Sequence, residues 1–233
     1  LLRGVLDAPL TVTTRAPTSA NRVHLAKSFL EAVTAKYAGS SLGRQELDGE
    51  FVNDLDGALW TWAMLDAARR RPGPERLDRI VVAVDPPVTT GGPADECGIV
   101  VAGVSMAGPP QQWRAEIIVD GSLKGASPQA WAEQAVALFH RHEADRLVAE
   151  VNQGGEMVGA LVRSVDPMVP FRPVRATRGK GVRAEPVAAL YEQGRISHRT
   201  AFARLEEQMV AMTVQGFAGT GSPDRLDALV WAI

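Results

Sequence analysis

Apolar positions follow two regimes along this chain. In the first third, Val23, Leu25, Phe29, Leu30, Val33 and Tyr37 recur at three- and four-residue spacing until Gly39, which predicts an amphipathic helix. Leu10-Thr11-Val12-Thr13-Thr14 reads as a short β-type run closed by Pro17. A second helical stretch spans Trp60 to Ala68, with Trp60, Met64 and Leu65 on one side. It ends in Arg69-Arg70-Arg71-Pro72-Gly73-Pro74, a charged, Pro/Gly-rich segment that places a domain boundary near residue 75.

Beyond it the pattern turns β-rich and then alternates. Ile80 to Val84 is a continuous apolar run, as in a strand covered on both faces. Gly98 to Val104 and Trp113 to Val119 follow after short links, which predicts an antiparallel meander. Ser127-Pro128 opens a helix through Trp131, Ala135 and Leu138 towards His142. Arg146 to Val151 is a fourth strand, Gly155 to Ser164 a helix and Phe171 to Val174 a fifth strand. Helices over 183–193 and 201–211 follow, and Pro223 begins a last one. The expected fold is α/β: a mixed sheet, three antiparallel strands and then parallel ones, flanked by helices.

Composition narrows the class. The 233 residues are 45% hydrophobic and 22% charged, which argues against disorder and coiled coil. Lys plus Arg is 25 against 27 Asp plus Glu, a net charge of −2 that leaves local patches open. The only cysteine, Cys97, excludes an internal disulfide and a multi-cysteine zinc site, and suits a reducing compartment. No apolar run approaches the roughly 20 residues of a membrane span, so the chain reads as soluble and intracellular. It begins Leu1-Leu2-Arg3 without methionine, which suggests a piece of a longer protein.

The candidate chemistry lies in carboxylates at element ends. Asp85 directly follows the first apolar run, either as a turn residue ahead of Pro86-Pro87 or as a site residue. Glu150 closes Leu147-Val148-Ala149 ahead of Gly154-Gly155, and a carboxylate in a buried strand is costly unless a cation neutralises it. Asp224 and Asp227 sit three apart in the first turns of the last helix; Asp224 also suits the helix dipole, whereas Asp227 interrupts an apolar region. Three such acids can converge on a divalent cation pair, and all-oxygen ligands favour Mg²⁺ or Mn²⁺ over zinc.

Arg172, Arg175, Arg178, Lys180 and Arg183 fall within a dozen residues with no acid between them. They read either as a solvated loop or as a phosphate-binding one, with Arg195 and Arg199 as an extension. His140 and His142 are spaced wrongly for one helical face, so zinc ligation is not expected. Ser105 and Cys97 lack a base partner in sequence. Trp113, Trp131 and Trp231 read as core or sheet-facing residues.

Five segments in order, Val84-Asp85-Pro86, 94–100, 149–155, 178–186 and 224–229, together resemble the nuclease domain of the large terminase subunit of tailed phages and related gene transfer agents. Gly43 to Glu50, with Gln45-Glu46, is similar to the stretch joining that family's packaging ATPase to its nuclease. The resemblance implies a ribonuclease H-like fold and an endonuclease that cuts concatemeric double-stranded DNA with two Mg²⁺ or Mn²⁺ ions. Carried over, Asp85 is the first-strand metal ligand, Glu150 the fourth-strand ligand and Asp227 the helical ligand, with Asp224 and Asp95 as supplementary acids.

The same resemblance makes residues 1–75 the end of the ATPase domain and its linker, with coupling elements around Thr13-Thr14-Arg15, and 76–233 the nuclease. No Gly-x-x-x-x-Gly-Lys-Ser/Thr loop is present, so ATP hydrolysis is not expected of this chain. The implied partners are DNA, the portal protein and the small terminase subunit in the cytoplasm of a bacterial host, the isolated chain being monomeric. A junction resolvase or transposase of the same fold would need the same acids, and a docking module would carry them as structural residues.

Overall fold

In the computed structural model, which describes residues 10–12, 14, 16–31, 47, 54–87, 96–152 and 154–233, the chain divides into two compact units, Leu1–Asn53 and Asp54–Ile233. In the first, Thr18–His24 is a 3₁₀ helix and residues 27–31 are helical. The rest of the helix expected to reach Tyr37 lies outside the described residues, as do Thr13, Arg15 and Gln45-Glu46. Residues 10–12 and 14 take part in no strand, contrary to the β-type run expected there: β-branched composition alone does not form a strand without a neighbour to pair with.

The second unit begins ahead of helix α1 (Trp62–Arg70), so the segment expected to belong with the preceding domain packs in the same unit as the sheet. The Thr61 hydroxyl accepts from the Met64 amide and caps α1, whose inner face is Trp62, Leu65 and Ala68. Then come β1 (Arg79–Asp85), β2 (Glu96–Ser105), β3 (Arg114–Asp120) and the short β4 (Leu123–Lys124). After them β5 (Arg146–Glu150), β6 (Phe171–Val174) and β7 (Ile196–His198) alternate with helices α2 (Pro128–Arg141), α3 (Glu156–Val165) and α4 (Lys180–Glu192). The chain continues through α5 (Ala203–Val210), the hairpin β8 (Met212–Thr213) and β9 (Gly216–Phe217), and α6 (Asp224–Ala232).

The main sheet runs β6-β5-β1-β2-β3-β7, with β4 paired to β2. Strands β1, β2 and β3 are antiparallel and β5 and β6 add in parallel, as the alternation predicted, while β7, which the sequence did not predict, pairs in parallel with β3. Successive side chains of a strand point to opposite faces, and this sorts the core. Val82, Val84, Ile99, Leu147 and Ala149 share a cluster with Trp131 and Ala135 of α2 and Val158 and Val162 of α3. On alternation, Ala83, Asp85, Val148 and Glu150 take the opposite face, against which α6 packs across β1, β2 and β5.

Candidate metal centre

Register brings the first two acids together. Strands β1 and β5 pair in parallel up to Val84 opposite Ala149, and the next residues are Asp85 and Glu150, on one face at the same end of adjacent strands. Strand β5 stops there because Gly154 and Gly155 take left-handed backbone angles, φ 83° and 53°, in the turn into α3, which glycine adopts without a Cβ clash. The Asn152 side chain then pins the next loop, accepting from the Ala176 amide at 2.8 Å and donating to the Ala176 carbonyl at 2.9 Å.

Helix α6 delivers the other acids. Gly98 is the strand partner of Asp85, and a Cβ there would overlap the main-chain carbonyl of Asp224, so only glycine admits the first turn of α6 at this point. Arg225 ties that turn to the sheet: Nε donates to Glu96 Oε2 at 3.0 Å and a terminal nitrogen to Asp120 Oδ2 at 2.6 Å. Asp227 follows, 2% exposed. A cleft of about 220 Å³ is lined by Asp85, Pro86, Glu150, Asn152, Lys180, Ser222 and Asp224.

Burial and neighbouring acids raise three of these carboxyls, Asp85, Asp224 and Asp227. Burial, then Asp227, Glu150 and Asp224, push the Asp85 carboxyl well above the usual carboxylate range, only partly offset by Lys180. Burial also raises Asp224 and Asp227, the latter against the pull of Lys180 and Arg183. Lys180 Nζ lies 2.5 Å from Asp227 Oδ2, and the Arg183 guanidinium bridges Asp227 Oδ1 at 3.2 Å and Glu150 Oε2 at 3.4 Å. Asp85 makes no side-chain hydrogen bond or ion pair among the described residues.

The donor set is all oxygen, the chemistry of a Mg²⁺ or Mn²⁺ site, and two protein cations already stand among the carboxylates. The residues therefore fit divalent cations. As the side chains stand, no group of three or more His, Cys, Asp or Glu among the described residues is gathered tightly enough to hold an ion.

A family model described as the terminase RNase H-like domain matches residues 82–233. The chain belongs to that family. No curated protein matches it in sequence. The terminase RNase H-like domain has the fold of the large terminase gp2 nuclease domain of bacterial virus Sf6, at 13% identity and TM-score 0.55, over 75% of this chain and 97% of that one. It is similar in the same way to the large terminase nuclease of thermophilic phage G20c, at 14% identity and TM-score 0.53 over 76% and 97%. A longer large terminase, from another thermophilic bacteriophage, matches at 12% identity and TM-score 0.54, over 92% of this chain but 52% of that one. Structures of the G20c nuclease with bound cobalt and of the Sf6 domain with manganese are among the neighbours.

Other expected residues of this terminase domain fall into place unevenly. Asp95 lies outside the described residues. Arg172, Arg175 and Arg178 are exposed and make no ion pair among the described residues, whereas Lys180 and Arg183 sit on the acids in the first turn of α4, a helix expected to begin only at Arg183. Arg195 and Arg199 do not extend the basic loop. They bind the Trp113 carbonyl and Glu116 near β7, at the sheet edge opposite β6.

His140 pairs with Asp166 at 2.8 Å at the end of α2. Trp131 is buried in the core, and Trp231, read as core or sheet-facing, is half-buried with its indole on Glu150 of β5. Sequence reasoning missed Trp231 and Arg225. The signal was the spacing 224, 227, 231, one helical face shared by two acids and an indole.

Proposed function

We propose that this terminase RNase H-like domain is a divalent-metal-dependent endonuclease acting on double-stranded DNA during viral-type genome packaging. The observation that carries the reading is the gathering of Asp85, Glu150, Asp224 and Asp227 from β1, β5 and α6, where burial and neighbouring acids raise the Asp85, Asp224 and Asp227 carboxyls. Such a cluster is unfavourable without cations. The family membership and the metals named for the G20c and Sf6 domains support the same reading.

In this assignment Asp85, which has no side-chain partner among the described residues and lies central among the acids, would be a ligand to both ions. Glu150 and Asp227 would each hold one, and Asp224 lines the cleft. Two Mg²⁺ or Mn²⁺ ions held there would supply activation of a water and neutralisation of charge on the scissile phosphate. Lys180 and Arg183 keep the metal-free carboxylates balanced and in place. Arg172, Arg175 and Arg178 hold backbone phosphates beside the cleft, a sequence-independent contact.

The full protein would act on concatemeric DNA in the host cytoplasm with a portal and a small terminase subunit, residues 1–75 being the end of its motor and linker, of which the part from Asp54 on packs in the unit of the sheet. Nicking of a supercoiled plasmid in Mn²⁺ by this chain and by Asp85→Asn tests the proposal. Cleavage by the first and none by the second is expected; no cleavage by either sinks the nuclease reading, and equal cleavage sinks the site assignment.

A further inference from the structure

Glu150 is held by one oxygen only. The Trp231 indole Nε1–H donates to its Oε2 at 2.7 Å, and Arg183, which donates to the same oxygen at 3.4 Å, lies over the indole with its guanidinium carbon 4.8 Å from the ring centroid. Oε1 has no partner among the described residues, and Glu150 lines the cleft. Trp231 stands one helical turn beyond Asp227, so α6 brings in one acid and, on the same face, the group that grips another. An indole N–H is a donor with no acceptor capacity, so it fixes which carboxylate oxygen is engaged, and the stacked guanidinium fixes the plane of the ring.

We propose that Trp231 is a positioning residue for Glu150, occupying Oε2 so that the carboxylate offers a cation Oε1 alone. The proposal rests on the ligand role of Glu150 given above. Its consequence is selectivity. A single-oxygen carboxylate suits the near-octahedral Mg²⁺ shell, whereas Ca²⁺ takes more oxygens and accepts carboxylates through both. Outer partners of ligands commonly carry about 10- to 100-fold of metal affinity.

The test is Mg²⁺ and Ca²⁺ binding to the whole chain by calorimetric titration, for the wild type, Trp231→Phe, Glu150→Gln and the double variant. Trp231→Phe should weaken Mg²⁺ by about 10- to 100-fold and Ca²⁺ by clearly less, and should add nothing in the Glu150→Gln background. Unchanged Mg²⁺ affinity in Trp231→Phe overturns the proposal, as does an equal loss for both ions or a full loss on top of Glu150→Gln. Unchanged Mg²⁺ affinity in Glu150→Gln removes the ligand assignment instead, and the two failures are told apart by that single variant.

Should Trp231→Phe not fold, indole ¹⁵N–H spectra of the wild type and of Glu150→Gln decide. One of the five tryptophan resonances should move both on Mg²⁺ addition and on the Glu150 change. If no resonance responds to both, the proposal fails.

Discussion

Gly98 lies directly under the main-chain carbonyl of Asp224, close enough that a methyl group in place of its hydrogen would overlap the oxygen. Because Gly98 is also the strand partner of Asp85, this one contact sets how near α6 and its two acids come to β1. Gly98→Ala must push backbone, not a flexible side chain, and overpacking of this kind costs about 1–3 kcal/mol. Urea unfolding should show that loss. Mg²⁺ binding of the folded remainder should weaken as well, since Asp227 recedes from Asp85.

Asp85 makes the stability of the metal-free domain fall as pH rises. Its carboxyl is raised by burial and by Asp227, Glu150 and Asp224, so the folded state holds that proton more tightly than the unfolded chain, whose Asp titrates near about 3.9. The stabilisation is full below the unfolded value and is lost as pH climbs through the raised one. In EDTA, Asp85→Asn should therefore be more stable than wild type at pH 7, with the gap closing towards pH 4. Added Mn²⁺ should reverse the order at pH 7. Melting temperatures across that range check the sign, and a gap that stays constant with pH would count against the assignment.

How much of this was legible in the sequence differed by element. Strands β1 and β5 announced themselves because an apolar run covered on both faces has no polar interruption until the acid that ends it, so Asp85 and Glu150 stood out. The parallel strand β7 did not. Ile196-Ser197-His198 is too short and too polar to signal a strand, and it is held instead by pairing with β3 and by contacts distant in sequence. Arg225 was silent for a similar reason. A cation beside two acids reads as helix-surface charge, and only the tertiary fold shows it buried against Glu96 and Asp120. The basic run had one charge pattern but divides in space, three arginines exposed and two cations on the carboxylates.

The contacts that hold β7 end in a buried polar chain whose loss should be severe. Tyr191 Oη lies 2.7 Å from His198 Nε2, His198 Nδ1 lies 3.0 Å from Glu206 Oε1, and Arg69 donates to Glu206 Oε2 at 2.9 Å. His198 and Glu206 are fully buried side chains, and the chain joins α1, α4, β7 and α5. Glu206→Ala leaves Arg69 without this acid and His198 Nδ1 without its partner, with only Tyr191 still on Nε2. Removing one member of a buried pair costs about 3–5 kcal/mol. Guanidinium denaturation should report a loss of that size for Glu206→Ala and a smaller one for Glu206→Gln, which keeps an acceptor.

Exposure separates the arginines proposed to hold phosphates from Arg183 on the carboxylates, and salt dependence can read the difference. Each phosphate contact contributes about 0.9 to the slope of log affinity against log salt for duplex DNA. Arg172→Gln, Arg175→Gln and Arg178→Gln should each lower that slope by up to about this amount, measured in Ca²⁺ on a short duplex to avoid cleavage. Arg183→Gln should leave the slope unchanged, because its guanidinium already bridges Glu150 and Asp227, and should instead destabilise the metal-free domain by exposing those acids to each other. A slope that drops for Arg183 as much as for Arg178 would place Arg183 on the DNA and take it off the carboxylates.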